Sequence, residues 1–314
     1  MKRAKEYAIL LAVIIGIGLY LALRSSDGVH YDLPQLESIS TQEVDEVVIS
    51  SDNSSLSLRR SNGTWSIADK GYEAQGDKVQ KMLRQAADPG ISALVSESGD
   101  YSRYHLDRGS RIQVKLLQDN KTVRKLHLGK SAGQVQNTYV RLPGDQNIYM
   151  AESDLQGSFD TNAQELRDKT VFSIDPDKVS AVRLASENAS RRIHRVEAGT
   201  NAANGTERSV WRTKQGEMVK KDQMDNLFRS LKDLRCREYR QGLSRNGTKY
   251  TIEMKTDTSQ WLRLYAPEKK RPKAYEAESS QSPDPFELPG YLGKEVVSSA
   301  RELLGEPTQQ PGSK

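Results

Sequence analysis

The chain has 314 residues, and its 47 Lys and Arg residues exceed its 42 Asp and Glu residues by five. Three basic residues lie ahead of the first apolar run, so the rest of the chain is nearly balanced in charge and no nucleic-acid-binding surface is expected. The single cysteine, Cys236, excludes an internal disulfide. With 28% charged residues and a mean hydropathy of −0.73, the composition predicts a polar body of about two domains.

The first element is an uncharged apolar run over residues 7–23, with Arg24 directly after it. As a helix it would be about 26 Å long, at the short end of what spans a hydrocarbon core. No pair of small residues three apart marks a cleavage site, which favours a retained anchor over a cleaved signal peptide. Because more basic residues precede the run than follow it, residues 1–6 are predicted to be cytoplasmic and the body periplasmic.

A polar tether over residues 24–42 is followed by a first α+β repeat, predicted over 43–160. Within this repeat, the β-branched residues of the segment 44–49 predict a strand, and the Asn62-Gly63 pair predicts a β-hairpin whose return strand carries Trp65. A helix is predicted to begin with Asp77 as its cap and to stop at residues 88–90. Further alternating segments predict strands at 112–116, 123–128, 138–142 and 148–150.

A second α+β repeat is predicted over residues 176–304, because the same order of elements recurs. The corresponding features are a strand at 179–184, a return strand with Trp211, a helix opened by Asp222 and a hairpin over 250–265. The predicted fold class is therefore α+β: one N-terminal transmembrane helix followed by two tandem, similar lobes, each an antiparallel sheet with a helix packed on one face. The tail, residues 305–314, is predicted to be disordered.

The two repeats are joined by an interdomain link over residues 161–175, which contains Leu166, Arg167, Asp168 and Lys169. These four residues are candidates for an interdomain or partner contact. A structural ion pair is favoured there, and a partner-docking patch is the alternative. Trp65 and Trp211 occupy equivalent positions in the two repeats, which favours packing against the following helix over stacking on a ligand.

This arrangement resembles the bacterial family called domain of unknown function 4340 over roughly residues 40–300. The residues that carry the resemblance are Trp65, the helix from Asp77, the link Leu166-Arg167-Asp168-Lys169, and Trp211 with the helix from Asp222. Proteins of that family are typically membrane-anchored and encoded beside components of gliding-motility-type ABC transporters. The resemblance implies an auxiliary envelope component of such a transporter, with the transporter's membrane subunits as partners.

The sequence contains no catalytic motif. The four histidines are at least 22 residues apart, so no metal site is predicted. Arg235 and Arg237 beside Cys236 would lower a thiol pKa, but a lone cysteine without a partner motif is expected to be inert. No nucleotide-binding glycine loop occurs. We therefore predict no catalytic residue, no cofactor and no metal.

The hypothesis from sequence is a single-pass protein of the bacterial inner membrane that acts by binding a protein or another ligand in the periplasm. Its expected partners are the inner membrane and the membrane subunits of an ABC transporter, and a small-molecule or glycan ligand is not identified. The alternative is an envelope hydrolase with an active site between the two lobes. A purely structural spacer is a third possibility.

Overall fold

The computed structural model describes residues 13–20, 32–133, 136–200, 207–267 and 273–307. Residues 13–20 are helical (α1) and lie inside the predicted anchor, whose remaining residues are outside the described ranges. Within the described ranges, no helix is both long and apolar enough to span a membrane. Most of the predicted disordered tail, from residue 308 onward, also lies outside the described ranges.

The chain divides into two compact units. The first comprises Met1–Lys70 and Asp77–Thr161, and the second comprises Gly71–Gly76 and Asn162–Lys314. Each unit contains one large antiparallel sheet together with helices. The predicted mixed α+β class, dominated by antiparallel sheets, is thus confirmed.

The first unit is built on strands β1 (Glu46–Ser50), β2 (Ser55–Ser61), β3 (Thr64–Ile67), β5 (Ile91–Ser96), β6 (Ile112–Gln118), β7 (Lys121–Ala132), β8 (Asn137–Arg141) and β9 (Ile148–Ala151). Their order in the sheet is β3-β2-β1-β6-β7-β8-β9-β5, and all neighbours are antiparallel. Its helices are α2 (Gly76–Ala87) and α3 (Leu155–Phe159). Strand β5 and helix α3 were not predicted from the sequence.

Two turns of this sheet follow directly from their residues. Asn62 and Gly63, between β2 and β3, have φ angles of 51° and 84°, the left-handed pair that a type I′ hairpin needs. Asp119 and Asn120, between β6 and β7, have φ angles of 49° and 62°. Asn and Asp tolerate this conformation better than other side-chain-bearing residues, so the local sequence fixes both hairpins.

The first core contains alternate residues of the strands together with residues of helix α2. The buried face of α2 is the predicted one: Val79, Met82, Leu83 and Ala86. The helix begins at Gly76, two residues earlier than a cap at Asp77 implies, so Asp77 lies in its first turn instead of capping it. An acidic side chain there still interacts favourably with the helix dipole.

The second unit contains β4 (Tyr72–Glu73), β10 (Thr170–Phe172), β11 (Ala181–Ala185), β12 (Ser190–Thr200), β13 (Glu207–Thr213), β14 (Met218–Val219), β15 (Leu234–Arg235), β16 (Glu238–Tyr239), β17 (Thr248–Lys255), β18 (Ser259–Ala266), β19 (Ala274–Ser279) and β20 (Phe286–Pro289). Its large sheet has the order β14-β13-β12-β11-β17-β18-β19-β20-β16, and β10 pairs separately with β15. Its helices are α4 (Ala163–Leu166), α5 (Lys221–Leu231) and α6 (Gly290–Leu304).

The two large sheets share one strand order. The series β3-β2-β1-β6-β7-β8-β9-β5 of the first unit is matched strand for strand by β13-β12-β11-β17-β18-β19-β20-β16 of the second. This agrees with the internal repeat inferred from the sequence. Asp222 lies in the first turn of α5, as Asp77 does in α2, and does not cap the helix as predicted.

Helix α6 was missed by the sequence analysis. Its first residues contain Gly290 and Gly293, which usually interrupt helices. Gly293 is needed because a Cβ atom there would lie 2.2 Å from Cδ2 of the buried Tyr275 ring. The close approach packs α6 onto the sheet, and Val296, Val297, Ala300 and Leu303 join the second core. The helix ends at Gly305, in a left-handed conformation.

Candidate functional site

The site is centred on Arg167, directly after the short helix α4. Asn162 caps this helix, because its side-chain oxygen accepts hydrogen bonds from the backbone N–H groups of Gln164 and Glu165 at 2.9 and 3.1 Å. Leu166 is buried, with 2% of its surface exposed. The backbone becomes extended at Arg167, directly after the helix, and this defines the direction in which the Arg167 side chain leaves the chain.

A second segment of the same unit, residues 71–76, is hydrogen-bonded to this backbone. The N–H of Gln75 donates to the carbonyl of Leu166 at 2.7 Å, and the N–H of Asp168 donates to the carbonyl of Glu73 at 2.8 Å. The amide side chain of Gln75 also donates to the carbonyl of Arg167 at 3.0 Å. These bonds bring Tyr72 beside Arg167 across a separation of about 95 residues in the sequence.

The Arg167 guanidinium lies between two tyrosine rings. Its central carbon is 3.6 Å from the ring centroid of Tyr72 and 3.3 Å from that of Tyr239. Its Nη1 donates to Oδ2 of Asp284 at 2.7 Å. Only 4% of Arg167 is exposed, so both the stacking and the ion pair act on a largely desolvated cation. We call these four side chains the arginine stack.

The neighbours of Arg167 have different roles. Arg167 pairs with Asp284, and the adjacent Asp168 carboxylate instead accepts the N–H of Thr170 at 2.5 Å. The carbonyl of Asp168 accepts the hydroxyl of Tyr239 at 2.6 Å. Lys169 lies 5.4 Å from the Tyr239 ring, at the edge of the stack. The residues predicted as a contact patch therefore support the arginine stack through both backbone and side chains.

Cys236 and Tyr239 are held in their neutral forms. Burial raises the pKa of the Cys236 thiol, although Lys169 and Arg167 act in the opposite direction. This corrects the expectation that flanking arginines would lower it. Burial also raises the pKa of the Tyr239 hydroxyl, which therefore remains a hydrogen-bond donor at neutral pH.

The arginine stack borders a cleft of about 460 Å³ within the second unit. The size is within the range of small-ligand sites, and the lining is mostly polar. Its lining residues are Gly71, Tyr72, Glu73, Arg167, Asp168, Thr170, Tyr239, Gln281, Ser282 and Pro283. Gln281 is itself fixed, since its amide donates to the carbonyl of Ser173 at 2.8 Å and accepts the N–H of Ser173 at 2.9 Å.

The two tryptophans do not line this cleft. Trp65, on β3, is 4% exposed. Trp211, on β13, is 8% exposed, and its ring centroid lies 5.6 Å from that of Phe228 on helix α5. Both rings are thus part of the packing in their own units.

Among the described residues, no group of three or more His, Cys, Asp and Glu side chains is arranged to hold a metal ion. His105 is exposed, His127 is buried and His194 is partly buried, while His30 lies outside the described ranges.

Arg167 was recognisable as a candidate from the sequence, but the residues that surround it were not. Tyr72, Tyr239 and Asp284 come from segments that are far apart in the sequence, and none belongs to a recognisable motif. The single local signal is the position of Arg167 on the link. The aromatic and acidic partners are decided by tertiary pairing.

Residues 65–256 match the model of the family described as Domain of unknown function (DUF4340). The matched region is more than half of the chain and includes Trp65, the Arg167 link and Trp211. Comparisons with curated proteins and with solved structures found no match. On the strength of the family match, the chain belongs to the DUF4340 family.

Proposed function

We propose that this protein is a membrane-anchored binding component of the bacterial envelope, and that the cleft beside the arginine stack is its recognition surface. Its body, two tandem lobes behind one anchor, lies in the periplasm. Its partners are the membrane subunits of an ABC transporter. It acts by binding and catalyses no reaction.

The observation that carries this proposal is the pre-organised arginine stack. Tyrosine and arginine side chains are enriched among the residues that dominate protein-binding energies, and rigid ones lose little conformational entropy when a partner binds. Here Arg167 is fixed by Tyr72, Tyr239 and Asp284 before any partner arrives. Tyr72 and Tyr239 are partly exposed, so their rings also contribute to the cleft surface.

The apolar run at the N terminus supports the membrane location. Residues 7–23 are uncharged, and the greater basic charge ahead of them favours a periplasmic body. A tethered body has a raised effective concentration for partners in the same membrane, so a cleft of moderate affinity suffices. The proposed association with a transporter comes from the family resemblance.

The test is co-purification from native membranes. Affinity-tagged full-length protein would be solubilised with mild detergent, and recovered proteins identified by mass spectrometry. Three variants would be compared: deletion of residues 1–24, Thr170→Arg and Thr122→Arg. Thr170 is exposed and lines the cleft, so arginine there blocks it; Thr122 is an exposed strand threonine of the first unit and serves as the matched control.

Transporter membrane subunits should be recovered with the unaltered protein and with Thr122→Arg, but not with the deletion or with Thr170→Arg. Equal recovery with the deletion would refute the tethering. Equal recovery with Thr170→Arg, while the deletion abolishes recovery, would show that the partner contacts a surface other than the cleft.

A further inference from the structure

A group of basic side chains lies on the sheet of the first unit, on the face opposite its core. His127 on β7 pairs in register with Arg141 on β8, and Arg111 directly precedes β6. Leu126, Leu128 and Val140, which alternate with His127 and Arg141, point to the core and are fully buried. We call Arg111, His127 and Arg141 the basic cluster.

His127 is neutral and has an unused donor. It is 4% exposed, and its Nδ1 lies 3.2 Å from Nη2 of Arg141. Because a guanidinium group only donates, Nδ1 must be the acceptor and the proton must be on Nε2. This buried Nε2 has no hydrogen-bond partner among the described residues. Burial, followed by the charges of Arg111, Arg141 and Lys125, lowers the pKa of His127 to about 4.

The positive charge of the cluster is not neutralised by the described residues. Arg141 stacks on the ring of Tyr101 at 4.5 Å and bonds to His127, but neither it nor Arg111 is within ion-pair distance of a described carboxylate. Burial, then repulsion from Arg141 and Arg108, lowers the pKa of Arg111. Asp107 acts on Arg111 in the opposite sense, and its carboxylate accepts the hydroxyl of Ser110 at 3.1 Å.

We propose that the basic cluster binds a phosphoryl group. Neither guanidinium group forms an ion pair with a carboxylate in the part of the chain that the structure describes, so the two provide charge-assisted donors that suit a tetrahedral dianion, which neutralises both charges at once. Arg111 and Arg141 are partly exposed, so solvent reaches them, while Tyr101 forms an aromatic side of the site. His127 positions Arg141 through Nδ1, and its Nε2–H, which has no partner among the described residues, is a further potential donor.

The proposal is tested by isothermal titration calorimetry on the full chain in non-ionic detergent, with inorganic phosphate at constant ionic strength. Saturable binding is expected, and Arg111→Gln or Arg141→Gln should weaken it at least about tenfold, since each removes a charged donor pair. The matched control is Arg103→Gln, because Arg103 is exposed and also lies over a tyrosine, Tyr104, at 6.0 Å.

A second ligand distinguishes the source of the phosphoryl group. Tighter binding of a short-chain, water-soluble phosphatidic acid, whose phosphomonoester can become a dianion, would assign a lipid headgroup, and tighter binding of inorganic phosphate would assign a free phosphate. Absence of saturable binding of both ligands, or unchanged binding by the two glutamine variants, would overturn the proposal. If either glutamine variant fails to fold, the corresponding lysine variant keeps the charge and should still weaken binding, because lysine lacks the forked donor geometry.

Discussion

Replacing Arg167 with lysine tests whether the arginine stack is the structural centre of the site. Lysine keeps the positive charge and most of the length, but its ammonium group cannot lie flat between the rings of Tyr72 and Tyr239. The change therefore isolates the planar stacking from simple charge. Arg183→Lys is the matched control, since Arg183 forms an ion pair with Glu253 in the same unit in which both side chains are nearly half exposed.

The expected cost follows from the geometry. Each ring lies within 4 Å of the guanidinium carbon, and in this desolvated setting each of the two stacking contacts contributes about 1 kcal/mol. The bond to Asp284 adds about 0.5 kcal/mol, because a third of that side chain is exposed and solvent screens the pair. Arg167→Lys should thus destabilise the second unit by about 2 to 3 kcal/mol, and Arg183→Lys by less than about 0.5 kcal/mol.

Unfolding in urea would be monitored by hydrogen–deuterium exchange, and the free energy of opening would be determined from the peptides that cover β10 and β15. Strand β10 follows Arg167 closely in the chain, and its partner β15 closely precedes Tyr239, so the opening free energy of this pair reports on the stack. A cost for Arg167→Lys no greater than that for Arg183→Lys would refute the idea that stacking fixes this site.

Three further outcomes are expected. The stability of the first unit should fall as the pH is lowered from about 6.5 to about 4, by up to about 3 kcal/mol, and His127→Gln should remove this dependence. The sign follows because the unfolded chain binds a proton on His127 in this range and the folded chain does not. Gly293→Ala should lower the free energy of unfolding of the second unit by about 1 to 3 kcal/mol, because the added methyl group would overlap the Tyr275 ring. The Cys236 thiol should react with a disulfide reagent far more slowly in the folded protein than in denaturant, since it is buried and its pKa is raised.

Each of these outcomes has a control or a contradicting result. For the pH dependence, the control is His105→Asn. His105 is exposed and has a left-handed backbone conformation that asparagine tolerates, so this variant should keep the dependence of first-unit stability on pH. The control for Gly293→Ala is Gly242→Ala, which should leave the free energy of unfolding nearly unchanged because nothing lies within 4 Å of the added atom. Rapid reaction of the thiol in the folded protein would contradict the burial of Cys236.

The local sequence determined the parts of the fold that depend on short-range chemistry. Asn62-Gly63 and Asp119-Asn120 adopt left-handed conformations that few other residues tolerate, so both hairpins were predictable. The buried face of α2 was also predictable, because helical periodicity alone places Val79, Met82, Leu83 and Ala86 together. The recurrence of the tryptophan-and-helix pattern indicated the repeat, which the matching strand orders support.

Tertiary structure alone decided α6 and the composition of the site. Gly293 weakens a helix in isolation, and its value appears only when the helix approaches Tyr275 closely. The sequence places Arg167 on a link, but Tyr72, Tyr239 and Asp284 reach it through pairing between segments that are distant in the chain. Side-chain stacking and ion pairing require proximity in space, and proximity between distant segments is a property of the folded sheet order, which no local pattern encodes.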